Sequence, residues 1–265
     1  MLFPISDDDR RVTSPAFVTY AIFALNIGMF LIQMANPSFT YGWSVIPKEI
    51  TSGVDLVEPT QIELPGNQIE EIPQTPGPPL IYLTLLTAMF MHGGFGHIAG
   101  NMLYLWIFGN NVEHRFGHWW FLLFYLSAGL ISNFAQIAAG PNSVIPNLGA
   151  SGAIAGVMGA YIVLFPYNRV NAVFFYSVIT VPAIVVLGMW IATQFVSGVG
   201  SIAATSTSTG GVAYIAHIGG FVTGVVVALI SRSMIGQEQD SVLSRQYGRD
   251  PRAHQLWSTS RNFDR

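Results

Sequence analysis

The chain has 265 residues, of which 51% are apolar and only 9% are charged, and its formal net charge is −3. Soluble domains are usually about 25% charged, so this composition excludes an ordinary soluble enzyme, and the lack of a basic excess excludes a nucleic-acid-binding protein. With no cysteine, the chain has no disulfide, no thiolate nucleophile and no cysteine metal site.

Charged residues are missing from three long segments of the chain. Residues 12–47, 116–168 and 170–231 contain no Asp, Glu, Lys or Arg. Because about 20 apolar residues cross a bilayer, these segments predict an all-α, multi-pass membrane protein. Gly, Pro and polar clusters divide them into six spans. The predicted spans are 16–34, 97–108, 118–139, 151–165, 171–196 and 212–231.

The segments outside the spans predict one membrane domain over residues 16–231, with polar ends. Residues 1–15 form a short amino-terminal segment, and the first span is expected to be a retained signal anchor. Residues 35–79 form a long loop with six acids, which is either an irregular connector or a structured external element. The apolar stretch 80–91 is expected to be an interfacial helix or part of that loop, and 232–265 a polar, disordered tail.

The distribution of basic residues predicts the orientation in the membrane. With six spans, ten of the eleven Lys and Arg residues fall on the side that carries both termini, and only Lys48 falls on the other. Basic residues mark the cytoplasmic side, so both termini are expected in the cytoplasm. A prokaryotic plasma membrane is the expected location.

Polar groups at membrane depth are costly and therefore point to function. No Asp or Glu lies deep in a predicted span, which excludes carboxylate proton relays and a two-carboxylate protease. The polar groups that remain as candidates are Ser151, His217, His97, His92 and Asn101.

Ser151 lies in the sequence Gly149-Ala150-Ser151-Gly152, at the start of an apolar helix. The unpaired N–H groups and positive dipole of a helix amino terminus suit a nucleophile whose attack creates an oxyanion. Serine is also a common helix cap, so this tetrapeptide alone leaves both interpretations open.

His217 shares a helix face with Gly220 and Gly224, which follow it by three and seven residues. Glycines four apart allow close helix contact, and Gly152-xxx-Gly156 offers the same on the fourth span. Contact between these two faces would place Ser151 beside His217, as an activated nucleophile and its base. The alternative is a buried histidine bonded to a neighbouring hydroxyl.

His97 and Asn101 are four residues apart and project from one face of the second span. Both can donate hydrogen bonds to an oxyanion. His92 stands at the break before this span, where it could bond loop carbonyls. A three-histidine metal site of His92, His97 and His217 is a weaker alternative, because no H-E-x-x-H motif supplies a general base. No metal or other cofactor is predicted.

Together these motifs resemble the rhomboid family of intramembrane serine proteases. The resemblance rests on His92-x4-His97-x3-Asn101, on Gly149-Ala150-Ser151-Gly152 and on Ala216-His217-x-Gly219-Gly220-x3-Gly224, in register over residues 16–231. Glu113-x3-Gly117 also resembles the turn that follows the family's second span.

The resemblance implies a six-helix bundle with a water-filled cavity open to the outside. It implies Ser151 as nucleophile, His217 as base and then acid, and an oxyanion hole of His97, Asn101 and the Ser151 N–H. The implied substrates are membrane proteins cut in or near a transmembrane segment, often beside a small residue in a locally unwound stretch. The fifth span and the loop 197–211 would be gate and cap.

The chain departs from the family pattern at two places. The Trp-Arg pair that many members carry in the first external loop is replaced by Leu83-Thr84, so loop anchoring is expected to differ. Ala155 replaces the aromatic residue that some members stack on the base, so another group must orient His217.

Two other functional classes compete with the protease. One is a silent relative that binds membrane-protein clients, although such relatives usually lose the serine or the histidine. The other is a transporter or channel, against which the absence of internal repeats and of membrane carboxylates argues. Neither the oligomeric state nor the natural substrate can be predicted from the sequence.

Overall fold

The computed structural model describes residues 2–9, 12, 14–64, 67–203 and 213–235. In chain order, the helices are α1 (Phe17–Ala35), α2 (Pro37–Gly42), α3 (Pro47–Ser52), α4 (Thr84–Thr87), α5 (Phe95–Phe116), α6 (His118–Ala139), α7 (Ser151–Leu164), α8 (Ala183–Ala203) and α9 (Tyr214–Ile235). The strands are β1 (Phe3–Ser6), β2 (Thr60–Leu64), β3 (Gln68–Ile72), β4 (Arg169–Phe174) and β5 (Ser177–Pro182).

The predicted all-α membrane class is confirmed. Within the described residues, α1, α6 and α9 are long and apolar enough to cross a bilayer. Shorter apolar helices occur at Ile81–Phe90, Ser151–Leu164 and Ala183–Gly198. The helices α1, α5, α6, α7, α8 and α9 correspond in order to the six predicted spans.

Helix α7 lies at the centre of the bundle, packed against α5, α6 and α9. Every residue from Gly152 to Tyr161 is buried, as expected for a helix that is apolar on all sides. Small residues at these positions let the neighbouring helices approach α7 closely. Ser151, the first residue of α7, is therefore held inside the bundle instead of facing lipid.

A buried carboxylate near the carboxyl-terminal end of α5 binds the start of α1. Glu113 is 0% exposed and accepts hydrogen bonds from the backbone N–H groups of Val18 and Thr19 at 2.9 and 2.7 Å. The Thr19 hydroxyl and His118 Nδ1 also bond it, each at 2.6 Å. Glu113 thus satisfies amino-terminal donors of α1 that have no partner within their own helix.

The long loop over residues 35–79 contains helices and strands, so its interpretation as an irregular connector is wrong. It contains α2, α3 and the antiparallel β2–β3 hairpin. An isolated bridge pairs Val45 with Asn147, and the Gly149 N–H donates to the Ala88 carbonyl at 2.8 Å. The Val45 bridge attaches the loop, and the Ala88 bond attaches the stretch 80–91, to the segment that leads into Ser151. Stretch 80–91 forms α4 between the 3-10 turns Ile81–Leu83 and Ala88–Phe90.

The predicted fifth span over residues 171–196 is wrong in its first half. Residues Arg169–Pro182 form the β4–β5 hairpin, and β1 pairs with β4 to give the strand order β1-β4-β5. Residues 171–182 carry no charge, which suggested a span, but the alternate residues Val170 and Ala172 are buried while their neighbours are not. This period of two marks a strand. Helix α8 begins only at Ala183.

Three other boundaries also differ. The second span was predicted as 97–108, but α5 runs from Phe95 to Phe116. Its 22 residues are enough in length to cross a bilayer. The loop predicted at 197–211 overlaps α8 up to Ala203, and the rest of it lies outside the described residues. Helix α9 continues to Ile235, past the predicted start of the tail at 232, and residues 236–265 are also outside the described ranges.

The amino-terminal segment places carboxylates against the bundle just after β1. Asp7 accepts hydrogen bonds from Asn111 Nδ2, at 2.9 Å, and from the Tyr161 hydroxyl, while Asp9 accepts one from Asn110 Nδ2 at 2.7 Å. Burial, to which the neighbouring charge of Asp9 adds, raises the pKa of Asp7 from 3.8 to about 8. The folded chain therefore retains a proton on Asp7 that the unfolded chain has released.

Stability is expected to fall as the pH rises between these two pKa values. Burial also raises the pKa of Glu49, to about 7, so Glu49 contributes the same trend only below that pH. We therefore expect the unfolding temperature in detergent to drop by a few degrees between pH 7 and 8. Glu49→Gln should retain this drop, whereas Asp7→Asn should lose it. An equal drop in Asp7→Asn would contradict the assignment.

Candidate active site

Ser151 and His217 come from different helices and meet inside the bundle. The Ser151 hydroxyl lies 2.8 Å from His217 Nε2, with Ser151 on the first residue of α7 and His217 on the first turn of α9. This distance is that of a good hydrogen bond. A serine hydroxyl bonded to an imidazole nitrogen has the geometry of a nucleophile next to its base.

Glycine backbones make this meeting possible. A Cβ placed on Gly220 would fall well inside the van der Waals distance of the Gly152 carbonyl oxygen, and one on Gly224 would do the same at Gly156. The backbones of α7 and α9 are therefore in direct contact. A Cβ on Gly152 would instead collide with the Ser132 hydroxyl of α6. A Cβ on Gly220 or Gly224 would thus meet α7, whereas one on Gly152 or Gly156 would meet α6 first.

His97 lies close to the segment that precedes Ser151. Its Nδ1 accepts the Gly93 backbone N–H at 3.2 Å, so in the neutral ring Nε2 carries the hydrogen and is a donor. A Cβ on Gly149 would lie 2.9 Å from that Nε2 and 3.5 Å from Ser151 Oγ, and Gly149 has a φ of +136°. Only glycine combines this backbone conformation with room for the histidine ring.

A cavity of about 560 Å³ opens beside the Ser151–His217 pair. Its lining includes Ser151, His217, His97 and Asn101. Asn101 is 8% exposed, and its buried Nδ2 has no hydrogen-bond partner among the described residues. Such an unsatisfied donor is costly unless a bound molecule or water completes it, so the cavity offers an N–H donor near the serine.

His92 does not reach this cavity. Its side chain is buried, and neither ring nitrogen has a hydrogen-bond partner in the described part of the chain, so the predicted bonds to loop carbonyls are not formed by the ring. Its backbone N–H and carbonyl are bound by Gln33 at 2.9 and 3.1 Å, and its ring packs edge-on against His97. His92 therefore stands behind His97 as a packing group.

The weaker alternative of a three-histidine metal site is not supported. Among the residues that the structure describes, no three His, Cys, Asp or Glu side chains form a group suited to a metal ion. His97 uses one ring nitrogen in a hydrogen bond with the Gly93 N–H, and His217 uses both of its ring nitrogens, with Ser151 and with Gln194.

Two residues of α8 that contact the His217 ring were not among the predicted site residues. Gln194 Oε1 lies 2.7 Å from His217 Nδ1, and the Trp190 ring lies 5.7 Å from the imidazole, centroid to centroid. The available signal was a glutamine in a charge-free span, where an amide is costly. Sequence spacing does not connect Gln194 with His217, because the two residues are 23 positions apart and on different helices.

Comparison with known proteins gives consistent matches. Residues 81–233 match the Rhomboid domain family. The chain is 42% identical over 85 residues to rhomboid protease GluP of Bacillus subtilis, covering 32% of this chain and 16% of that protein. It is 31% identical over 163 residues to the mitochondrial rhomboid protein 1 of Saccharomyces cerevisiae, covering 59% and 44%. A third match is to the human mitochondrial presenilin-associated rhomboid-like protein, 34% identical over 115 residues, covering 42% and 30%. The chain thus spans less than half the length of each of these relatives.

Proposed function

The chain belongs to the rhomboid family, and from this premise we propose that it is an intramembrane serine protease that uses Ser151 and His217. It hydrolyses a peptide bond in or near a transmembrane segment of a membrane-protein substrate. The observation that carries the proposal is the 2.8 Å contact between Ser151 Oγ and His217 Nε2 at the wall of a cavity.

The proposed reaction has two halves. Ser151 Oγ attacks the scissile carbonyl carbon while His217 Nε2 takes the hydroxyl proton, and the imidazolium then gives that proton to the leaving amine as the C–N bond breaks. Water next attacks the acyl-enzyme ester and gives a proton to His217. That proton returns to Ser151 as the ester bond breaks. No cofactor is needed for either half.

Three donors can stabilise the oxyanion of the tetrahedral intermediates. The backbone N–H of Ser151 is at the amino terminus of α7, where helix N–H groups lack intrahelical partners. His97 Nε2–H and Asn101 Nδ2 come from α5, and both residues line the same cavity as Ser151. Donors held rigidly by helices lose little orientation energy when the charge develops.

Asn101→Ala is expected to lower kcat by about 10–10³-fold with little change in KM, because the other two donors remain. Steady-state cleavage of a reconstituted substrate measures both constants. Asn110→Ala is the matched control, since Asn110 lies on the same helix but bonds Asp9 at the far end. An unchanged kcat in Asn101→Ala would remove this residue from the proposed site.

The experiment that tests the function reconstitutes the full chain in liposomes with a single-span fusion protein. The substrate helix should contain small and helix-destabilising residues, and mass spectrometry should locate the cut. We expect cleavage in or beside the span by the wild type and none by Ser151→Ala. Cleavage only in distant soluble parts would overturn the intramembrane assignment. A folded wild type that neither cleaves nor reacts with a fluorophosphonate probe would indicate a silent, client-binding relative.

The chain is an integral membrane protein, and its proposed partners are the bilayer and transmembrane substrates. A prokaryotic plasma membrane with both termini in the cytoplasm stays a prediction, since two of the relatives named above are mitochondrial by name. If it holds, tags at both ends resist protease added outside intact cells.

A further inference from the structure

A histidine that acts as a base must present an unprotonated nitrogen to its nucleophile, and the partner of its other nitrogen decides which tautomer forms. His217 Nε2 faces Ser151 at 2.8 Å, and His217 Nδ1 lies 2.7 Å from Gln194 Oε1. An amide oxygen only accepts hydrogen bonds. It therefore holds the ring hydrogen on Nδ1 and leaves Nε2 free to accept the Ser151 proton.

The direction of the Gln194 amide is set by its own neighbours. The Thr193 hydroxyl donates to the Trp190 carbonyl at 2.6 Å, so its oxygen is left to accept Gln194 Nε2 at 3.3 Å. With the amide nitrogen engaged there, Oε1 is the atom that faces His217. One chain of hydrogen bonds thus runs from the backbone of α8 through the imidazole to the serine.

The same helix also supplies the aromatic group that this chain lacks at Ala155. The Trp190 ring is tilted by 40° to the His217 ring at a centroid distance of 5.7 Å, and it lines the cavity. Gln194 is only 8% exposed, whereas its chain neighbours Thr193 and Phe195 face outward. The one inward-facing amide of this stretch is therefore directed at the base.

We propose that Gln194 is the positioning residue of His217. The Ser151–His217 pair is then reactive only while α8 stays packed beside α9. This inference rests on the proposed protease function. The nucleophile, the base and the positioning residue stand on α7, α9 and α8 respectively. Movement of α8 away from α9 would remove both Gln194 and Trp190 from the imidazole, which could then rotate away from Ser151.

The first test compares Gln194→Met, which has similar size but no amide, with Gln194→Glu, which keeps an acceptor. We expect Gln194→Met to lower kcat by about 10–10³-fold at unchanged KM, because the imidazole loses its favoured tautomer. Gln194→Glu should recover most of the rate, and its acidic limb in the pH–rate profile should move to higher pH. Met189→Leu, on the lipid-facing side of α8, is the matched control.

A purely structural role would have a different signature. It would lower the unfolding temperature and the fraction of reactive protein without moving the pH profile, and Gln194→Glu, which buries a charge, would be worse than Gln194→Met. That pattern would overturn the inference, as would a wild-type kcat and pH profile in Gln194→Met.

Nitrogen-15 NMR of histidine-labelled protein gives a readout that does not need catalysis. The His217 signals are identified by their loss in His217→Ala. We expect protonated Nδ1 and unprotonated Nε2 in the wild type and a tautomer mixture in Gln194→Met. A single tautomer in both would contradict the inference. If the wild type fails to label with a fluorophosphonate, the proposed function fails; if it labels and Gln194→Met labels equally fast, only the positioning role fails.

Discussion

Ser151→Ala and His217→Ala are each expected to lower substrate cleavage by at least about 10⁴-fold, because removing either member of a nucleophile–base pair removes the covalent route. Fluorophosphonate labelling should disappear in both variants. In Ser151→Ala the attacking oxygen is gone, and in His217→Ala nothing withdraws the hydroxyl proton. The double variant should be no worse than either single one, since the two groups act as a unit.

Matched controls separate chemistry from folding. Ser177→Ala on the exposed β5 strand and His114→Ala near the end of α5 remove the same groups elsewhere and should keep wild-type rates. Unfolding temperatures in detergent should show that Ser151→Ala is folded. Cleavage within tenfold of the wild type by either active-site variant would rule out the proposed pair.

Gly220→Ala is expected to lower labelling and cleavage by on the order of 10²-fold without touching either reactive side chain. The added methyl group would overlap the Gly152 carbonyl oxygen, which is backbone and cannot rotate away. Helices α7 and α9 must then separate by about 1 Å, and a displacement of that size misaligns reacting groups. We also expect a loss of about 1–3 kcal/mol in stability from overpacking.

Gly28→Ala is the matched control for this steric effect. Gly28 lies within α1, and nothing stands within 4 Å of a Cβ built there. This variant should keep its activity and be as stable as the wild type or more so, since alanine favours helix. Gly224→Ala makes the same backbone collision one turn further from Ser151 and should mainly destabilise. Full labelling of a folded Gly220→Ala would show that the two helices need not touch.

Composition predicted the membrane class, and residue spacing predicted which residues are candidates for the site. Charge-free segments are visible in sequence because a bilayer excludes charge wherever the chain crosses it. The same criterion gave a wrong prediction at residues 171–182, which carry no charge but form part of a small sheet in which only Ala172 of these residues is buried. The sequence does not show that β4 pairs with β1, whose paired residues lie 165 to 170 positions earlier in the chain.

Glu113 illustrates a second limit. Its motif with Gly117 was visible, but its role was not, because the N–H groups that it binds belong to α1, 94 and 95 residues away. In the sequence, a carboxylate near the end of a predicted span indicates only where that span ends. In the structure it is a fully buried acceptor that fastens α1 to α5.

The sequence by itself determined which side chains are available for chemistry: a serine before an apolar helix, a histidine on a glycine face, and a histidine and an asparagine one turn apart. These follow from local spacing, which helix geometry converts directly into shared faces. The tertiary structure alone decided the distance from Ser151 to His217 and the choice of Gln194 as the partner of the base. Those contacts join three helices, and the packing of one helix on another depends on surfaces distant in the chain, so no local pattern encodes them.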